Sequence, residues 1–220
     1  MKKTKDKYFK KKRIEKVIAC ILAFSLMLMS GESMKLKASD EAQTYHMESR
    51  VVMGRHIGEA SILRVTDQVY TGNSITPSVT VKDGSVTLKK GTDYLVYYSN
   101  NKSIGKATIT IAGVGIYKGS TTVNFNILPK KPAQKTPVSK TGSKIGVSWE
   151  KSPGAAAYEV SYATSSNGTY KVAGTTKELS YTIEKLTSGK TYYVRVRAYK
   201  TVDSKKYYSA YSAVRSVKVN

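Results

Sequence analysis

Past Gly58 the chain alternates apolar and polar residues every second position. In residues 60–128 the alternating sets are Ile75, Val79 and Val81, then Val86 and Leu88, then Tyr94, Val96 and Tyr98. Ala107, Ile109 and Ile111 follow, and Val123, Phe125 and Ile127 close the series. A period of two marks strands with one buried face. Turn formers separate the sets: Asp83-Gly84, Lys90-Gly91, Asn100-Asn101, and Gly113 with Gly115. Residues 138–220 repeat the habit with Ile145, Val147 and Trp149, then Tyr158, Val160 and Tyr162, then Tyr181 and Ile183. Tyr192, Val194, Val196 and Ala198 form the longest run, and Val217 and Val219 the last. Asn167-Gly168 is a tight-turn signal. No stretch of about ten residues carries a capped helical period. The pattern predicts an all-β chain of two tandem β-sandwich modules.

The segment Leu186 to Ala198, LTSGKTYYVRVRA, is the most specific. Leu186, Gly189 and Tyr192 have the spacing of a tyrosine corner, in which a turn feeds a tyrosine into a half-buried strand and its hydroxyl bonds back to the turn. With Trp149 early, Tyr158-x-Val-x-Tyr next and Ser209–Ser212 late, residues 138–220 resemble a fibronectin type III domain. That resemblance implies a sandwich centred on Trp149, with Tyr158, Leu186, Gly189 and Tyr192 as structural hallmarks. Residues 60–128 carry Thr87-Leu-Lys-Lys-Gly-Thr-Asp-Tyr94, Tyr98-Ser-Asn-Asn101 and Gly113-x-Gly-x-Tyr-x-Gly119. They resemble an Ig-like repeat module of Gram-positive surface and secreted proteins. Between the two, residues 129–137 hold Pro129, Pro132 and Pro137 with three lysines. This composition reads as an extended, semi-rigid linker.

The N-terminus adds an address. A basic segment, residues 1–16, precedes an apolar run from Val17 to Met29 and then Ser30-Gly31-Glu32-Ser33. That order is a secretory signal peptide, read over 1–38 with cleavage after Ala38 or near Ser30; an uncleaved anchor is the alternative. The run is short for a bilayer span, which needs roughly 20 residues. Residues 39–59 show no period and read as a spacer or lead-in strand. Cys20 is the single cysteine, so no disulfide framework is expected. The formal charge is +22; 11 of the 37 Lys and Arg and 3 of the 15 Asp and Glu lie in residues 1–38, leaving +14. A basic exported chain favours anionic surfaces such as wall polymers or acidic glycans, and export argues against nucleic acid.

The residues that most catalysis needs are missing from both modules. No His or Cys follows His56, which excludes Ser-His-Asp and Cys-His centres there. His46 and His56 stand in the spacer without a third fixed ligand. No cofactor and no metal is expected. Asp83 and Asp93 sit beside glycine turns, where a short acceptor stabilises the turn itself. Asp67, Glu150, Glu159, Glu178, Glu184 and Asp203 fall at turns or alternate outward among lysines, not as the facing pair a glycosidase requires. The candidate site is a surface: if Val194 and Val196 point inward, then Tyr193, Arg195, Arg197 and Tyr199 share the outward face, with Tyr207, Tyr208 and Tyr211 on the neighbouring strand. Rings offer stacking faces, and guanidinium forks clamp carboxylates or phosphates. A solvated strand face with cross-strand pairs is the simpler alternative.

The expectation is a secreted, non-enzymatic, monomeric binding or spacer protein. Its partner would be cell-wall or extracellular polysaccharide, or another extracellular protein. An accessory role that positions a separate hydrolase on its polymer is the second reading.

Overall fold

The computed structural model describes residues 54–220. The signal peptide, His46 and the spacer up to residue 53 lie outside the described residues. Everything described is strand, turn or coil apart from one short 3-10 turn at Ile57–Glu59.

The first sandwich contains β1 (Arg55–His56), β2 (Ser61–Ile62), β3 (Gln68–Val69), β4 (Val81–Asp83) and β5 (Val86–Thr87). It continues with β6 (Tyr94–Ser99), β7 (Gly105–Gly113), β8 (Tyr117–Lys118) and β9 (Ser120–Leu128). A sheet in the order β3-β9-β7-β6 faces a small sheet β2-β4-β5, and β1 pairs in parallel with β8. The alternating residues Ala107, Ile109, Ile111, Phe125 and Ile127 point from the large sheet onto Val81, Leu88 and Ile57.

Three details differ from the sequence reading. Residues 54–59, assigned to the spacer with a lead-in strand as the alternative, belong to this sandwich: Arg55 and His56 pair with Tyr117 and Lys118, and Ile57 is fully buried. His56 Nδ1 accepts the Gly58 amide at 3.1 Å, so this histidine is tied into a turn. The stretch Ile75–Val79 carries no strand, because Pro77 lacks a ladder donor. Side chains hold it instead: Tyr98 donates to Pro77 O at 2.6 Å, Tyr94 to Val79 O at 3.2 Å, and Asn101 Nδ2 to Ile75 O at 3.0 Å. The two aspartates also part company. Asp93 caps its turn by accepting the Lys89 amide at 2.7 Å. Asp83 instead accepts from the Tyr117 hydroxyl at 2.9 Å and pairs with Arg55, fastening β4 to the lead-in.

The second sandwich contains β10 (Val138–Lys140), β11 (Lys144–Ser148), β12 (Ala157–Ala163) and β13 (Lys171–Thr176). β14 (Ser180–Ile183), β15 (Thr191–Val202), β16 (Lys205–Tyr208) and β17 (Arg215–Lys218) complete it. One sheet is β10-β11-β14; the other is β13-β12-β15-β16, with β17 also pairing β15. Ile145, Val147, Trp149, Tyr158, Val160, Ile183, Val194 and Val196 fill the space between them. Trp149 and Tyr158 pack with ring centroids 5.2 Å apart. At the turn before β15 the Thr187 amide donates to the Tyr192 hydroxyl oxygen at 3.0 Å, and Gly189 takes φ +77°. That amide holds the Tyr192 phenol below its usual pKa by favouring the phenolate.

The expected extended, semi-rigid linker is packed against the protein. Pro129, Pro132, Gln134 and Pro137 are buried, and Gln134 bridges Trp149. Arg215 Nε donates to Gln134 O at 3.1 Å, and Ser212 Oγ donates to Gln134 Oε1 at 2.7 Å. Prolines read as linker are equally compatible with a sheet edge, where no ladder donor is required.

The two sandwiches meet through the β15–β16 hairpin. Its turn residues Asp203 and Ser204 have φ of 48° and 62°, the two-residue geometry that matches strand twist. Tyr207, 8% exposed, joins the first sandwich's core cluster, which holds Ile104 and Phe125, with Val202 packed against the same cluster. A second contact comes from the loop at Gly154, where an added Cβ would lie 2.8 Å from Ile104 and 2.9 Å from Tyr70. Beside it, the Lys130 amide donates to Pro153 O at 3.1 Å.

Candidate functional site

Strict alternation along β15 buries Tyr192, Val194, Val196 and Ala198 and turns Tyr193, Arg195, Arg197 and Tyr199 to the other face. Register with β12 sets Glu159 opposite Arg197, Ser161 opposite Arg195 and Ala163 opposite Tyr193. Register with β16 sets Tyr208 opposite Tyr199. All four candidate residues therefore share one sheet face. Tyr208 joins them, and Tyr207 points the other way, into the junction.

Tyr211 reaches the same face by a different route. After Tyr208 the chain leaves the regular ladder, and two serines bridge the gap. Ser209 donates its amide to Ala198 O at 2.8 Å, and its hydroxyl accepts the Ala198 amide at 2.9 Å. Ser212 does the same with Val196, at 2.7 Å and 3.0 Å. A serine can replace a ladder residue this way because its hydroxyl stands in for a backbone carbonyl. β15 stays fully bonded, and Tyr211 rises between the two serines.

The result is a continuous stack. The Arg195 guanidinium lies 3.9 Å from the Tyr170 ring centroid and 3.8 Å from that of Tyr211. Arg197 lies 3.7 Å from Tyr208 and 4.9 Å from Tyr211. Tyr208 packs on Tyr199 at 5.4 Å, and Lys206 Nζ sits 4.7 Å from the Tyr199 centroid. Each close guanidinium–ring contact contributes about 0.5–2 kcal/mol, rising with desolvation. Tyr193 stands at the end of the face, between Ala163 and Ser216.

The stack roofs the sheet. Beneath it Glu159 is 6% exposed and Ser161 1%, so β12 is buried on both faces. Glu159, read from sequence as an outward carboxylate among lysines, is enclosed here. Arg197 closes its fork on Glu159, with Nε and Nη2 both 2.8 Å from Oε1, and the Tyr208 hydroxyl lies 3.5 Å from Oε2. The clamp expected of Arg197 is therefore engaged inside the protein. Arg195 has no carboxylate partner among the described residues, and its Nε is buried without a hydrogen bond. Burial pushes the Tyr170 phenol up, with Arg195 opposing in part. Tyr170 is the member that sequence reasoning missed. The Asn167-Gly168 turn was its signal, since a hairpin there returns the next residues to the edge of this sheet.

A family model of the fibronectin type III domain matches residues 130–215. Residues 130–215 are a fibronectin type III domain. Its limits take in Lys130 to Pro137 and the Gln134 contacts described above, and such domains are typically non-catalytic modules. Among solved structures the chain is similar to a Fn3-like protein from Clostridium thermocellum, at 26% identity over 42% of this chain and 94% of that one, with TM-score 0.36. It is similar to the sixth fibronectin type III domain of human fibronectin type III domain containing protein 3, at 22% identity over 42% and 83%, TM-score 0.34. It is also similar to domains A168–A170 of titin, at 14% identity over 71% and 64%, TM-score 0.36. No curated protein matches the chain. No helix among the described residues is long and apolar enough to cross a membrane.

Proposed function

We propose that this chain is a non-catalytic, secreted binding and spacer protein of the bacterial surface. In this reading an Ig-like module is followed by the fibronectin type III domain, and the contact is with an anionic glycan or wall polymer. The observation that carries the reading is Arg195. Its guanidinium is fixed between two rings and lacks an anionic partner among the described residues, on a face where the second arginine is already neutralised by Glu159. A cation held without a counter-charge is pre-organised for an external one. The +14 charge of residues 39–220 adds long-range attraction to the same class of partner. Tyr193 and Tyr199 flank the site and supply ring surface for a sugar.

Sedimentation of the full chain with purified cell walls tests this. Binding is expected, weakening as salt rises. Arg195→Gln is expected to lose most of it. Lys144→Gln, on the opposite sheet and paired with Glu184 at 2.7 Å, is expected to lose none. Equal binding by both variants, with Trp149 fluorescence unchanged, would reject the face as the contact; no binding by the parent chain would reject the function.

A further inference from the structure

The docked hairpin creates a cleft that neither sandwich has alone. Its volume is about 450 Å³, and its walls are Asn100 to Lys106 of the first sandwich and Val202, Asp203 and Tyr207 of the second. That volume lies within the range of small-ligand sites, roughly 300–1,000 Å³.

The walls are fixed. Asn101 is held by two bonds to Ile75, one from its side chain at 3.0 Å and one to its backbone carbonyl at 2.8 Å. Ile104 and Tyr207 are buried in the core. Gly105 takes φ +138°, and a Cβ there would lie 3.7 Å from Val202, so the two walls come within van der Waals reach of each other. A site built on such supports does not have to be ordered by its ligand.

The functional groups are not satisfied by each other. Lys102 and Lys106 carry ammonium groups at the first wall, and Asp203 carries a carboxylate at the second. All three are exposed, and none belongs to an ion pair among the described residues. Opposite charges that line one cleft without touching leave space for a group between them. The Asn100 amide and the Ser103 hydroxyl add donors and acceptors. Two cations, one carboxylate, an amide and a hydroxyl match a hydroxylated ring bearing an acid group. The lysines take the acid, and Asp203 accepts from ring hydroxyls, since a carboxylate only accepts.

We propose that the junction cleft binds one carboxylate-bearing sugar unit of an extracellular polysaccharide, with Lys102 and Lys106 on the carboxylate and Asp203 on the hydroxyls. The choice of an extracellular polysaccharide rests on the function proposed above; the cleft itself is separate from the Arg195 face.

Calorimetric titration of the full chain with digalacturonate, and with the uncharged digalactose as control, tests the proposal. Digalacturonate is expected to bind at least tenfold more tightly than digalactose. The double variant Lys102→Gln/Lys106→Gln is expected to lose at least tenfold in affinity. Both lysines are exposed, so the fold should survive, and Trp149 fluorescence checks it. Asp203→Asn should weaken both sugars, because it acts on hydroxyls. Arg195→Gln should change nothing. The proposal is overturned by absent binding, by equal affinity for the neutral sugar, by an unaffected lysine double variant, or by loss of binding in Arg195→Gln. A result in which walls sediment the chain through Arg195 while digalacturonate gives no heat rejects the cleft and leaves the face standing.

Discussion

Tyr211 is the keystone of the stack, and a double-mutant cycle with Arg195 measures what it holds. The Tyr211 ring meets Arg195 at 3.8 Å and Arg197 at 4.9 Å. Both distances lie inside the roughly 6 Å reach of a cation–π contact. On a half-buried face the closer contact contributes about 1–1.5 kcal/mol and the farther about 0.5 kcal/mol. Loss of the ring also uncovers apolar surface, for about another 1 kcal/mol. Tyr211→Ala is therefore expected to destabilise the second sandwich by roughly 2–3 kcal/mol, and to lower its midpoint temperature by on the order of 10 °C. Tyr211→Phe, which keeps the ring, should stay close to the parent. The chain has one tryptophan, Trp149, and it is 2% exposed in the second core. Its fluorescence during urea unfolding thus reports from the core of the second sandwich. Combining Tyr211→Ala with Arg195→Gln should reveal a coupling of about 1 kcal/mol. A coupling below about 0.3 kcal/mol, within the additivity error of independent sites, would show that the stacked geometry contributes no pairwise energy.

Three further outcomes follow from other parts of the fold. Tyr192→Phe keeps the core ring but strands the Thr187 amide, and should cost about 1–2 kcal/mol in thermal unfolding followed at Trp149; an unchanged midpoint would contradict the corner's role. Burial raises the phenol pKa values of Tyr94, Tyr98 and Tyr117 in the first sandwich, so their contribution is intact below about pH 10 and is lost as pH climbs through the raised values. In the second sandwich Tyr170 is raised but Tyr192 is lowered, and the lowered group gains ground above pH 10. Alkali should open the first sandwich first, seen by hydrogen exchange above pH 10, and the reverse order would refute the assignment. Tyr207→Ala should cost about 3 kcal/mol and uncouple the modules, giving two calorimetric transitions; a single transition shared by both would show that other contacts carry the junction.

Some of this was legible in the sequence for a definite physical reason. Along β15 the inward residues are apolar and the outward ones are Tyr and Arg, so the period of two assigns each face without ambiguity. The tyrosine corner was legible because its turn and its strand are adjacent. The burial of Glu159 and Ser161 was not. It depends on rings from Tyr170, Tyr208 and Tyr211, which reach β12 only after the sheet has formed. The junction was hidden for a related reason. Tyr207 and Tyr208 are neighbours of one type, and only pairing with Lys200 and Tyr199 decides which of them faces the stack. The docking of residues 129–137 was not legible, since prolines suit an extended linker and a docked edge alike.

For the binding role proposed above, the docked hairpin also sets how this pair of sandwiches would hold an extended partner. Two modules on a loose tether sample many separations, so they tolerate almost any spacing of binding points and gain only a modest effective concentration. Here Tyr207, Val202 and Gly154 lock the separation between the cleft and the Arg195 face. In the binding role proposed above, a polymer would satisfy both only where its acidic groups recur at that one interval. The junction would then act as a ruler, with selectivity lying in the periodicity of charge along the chain being gripped.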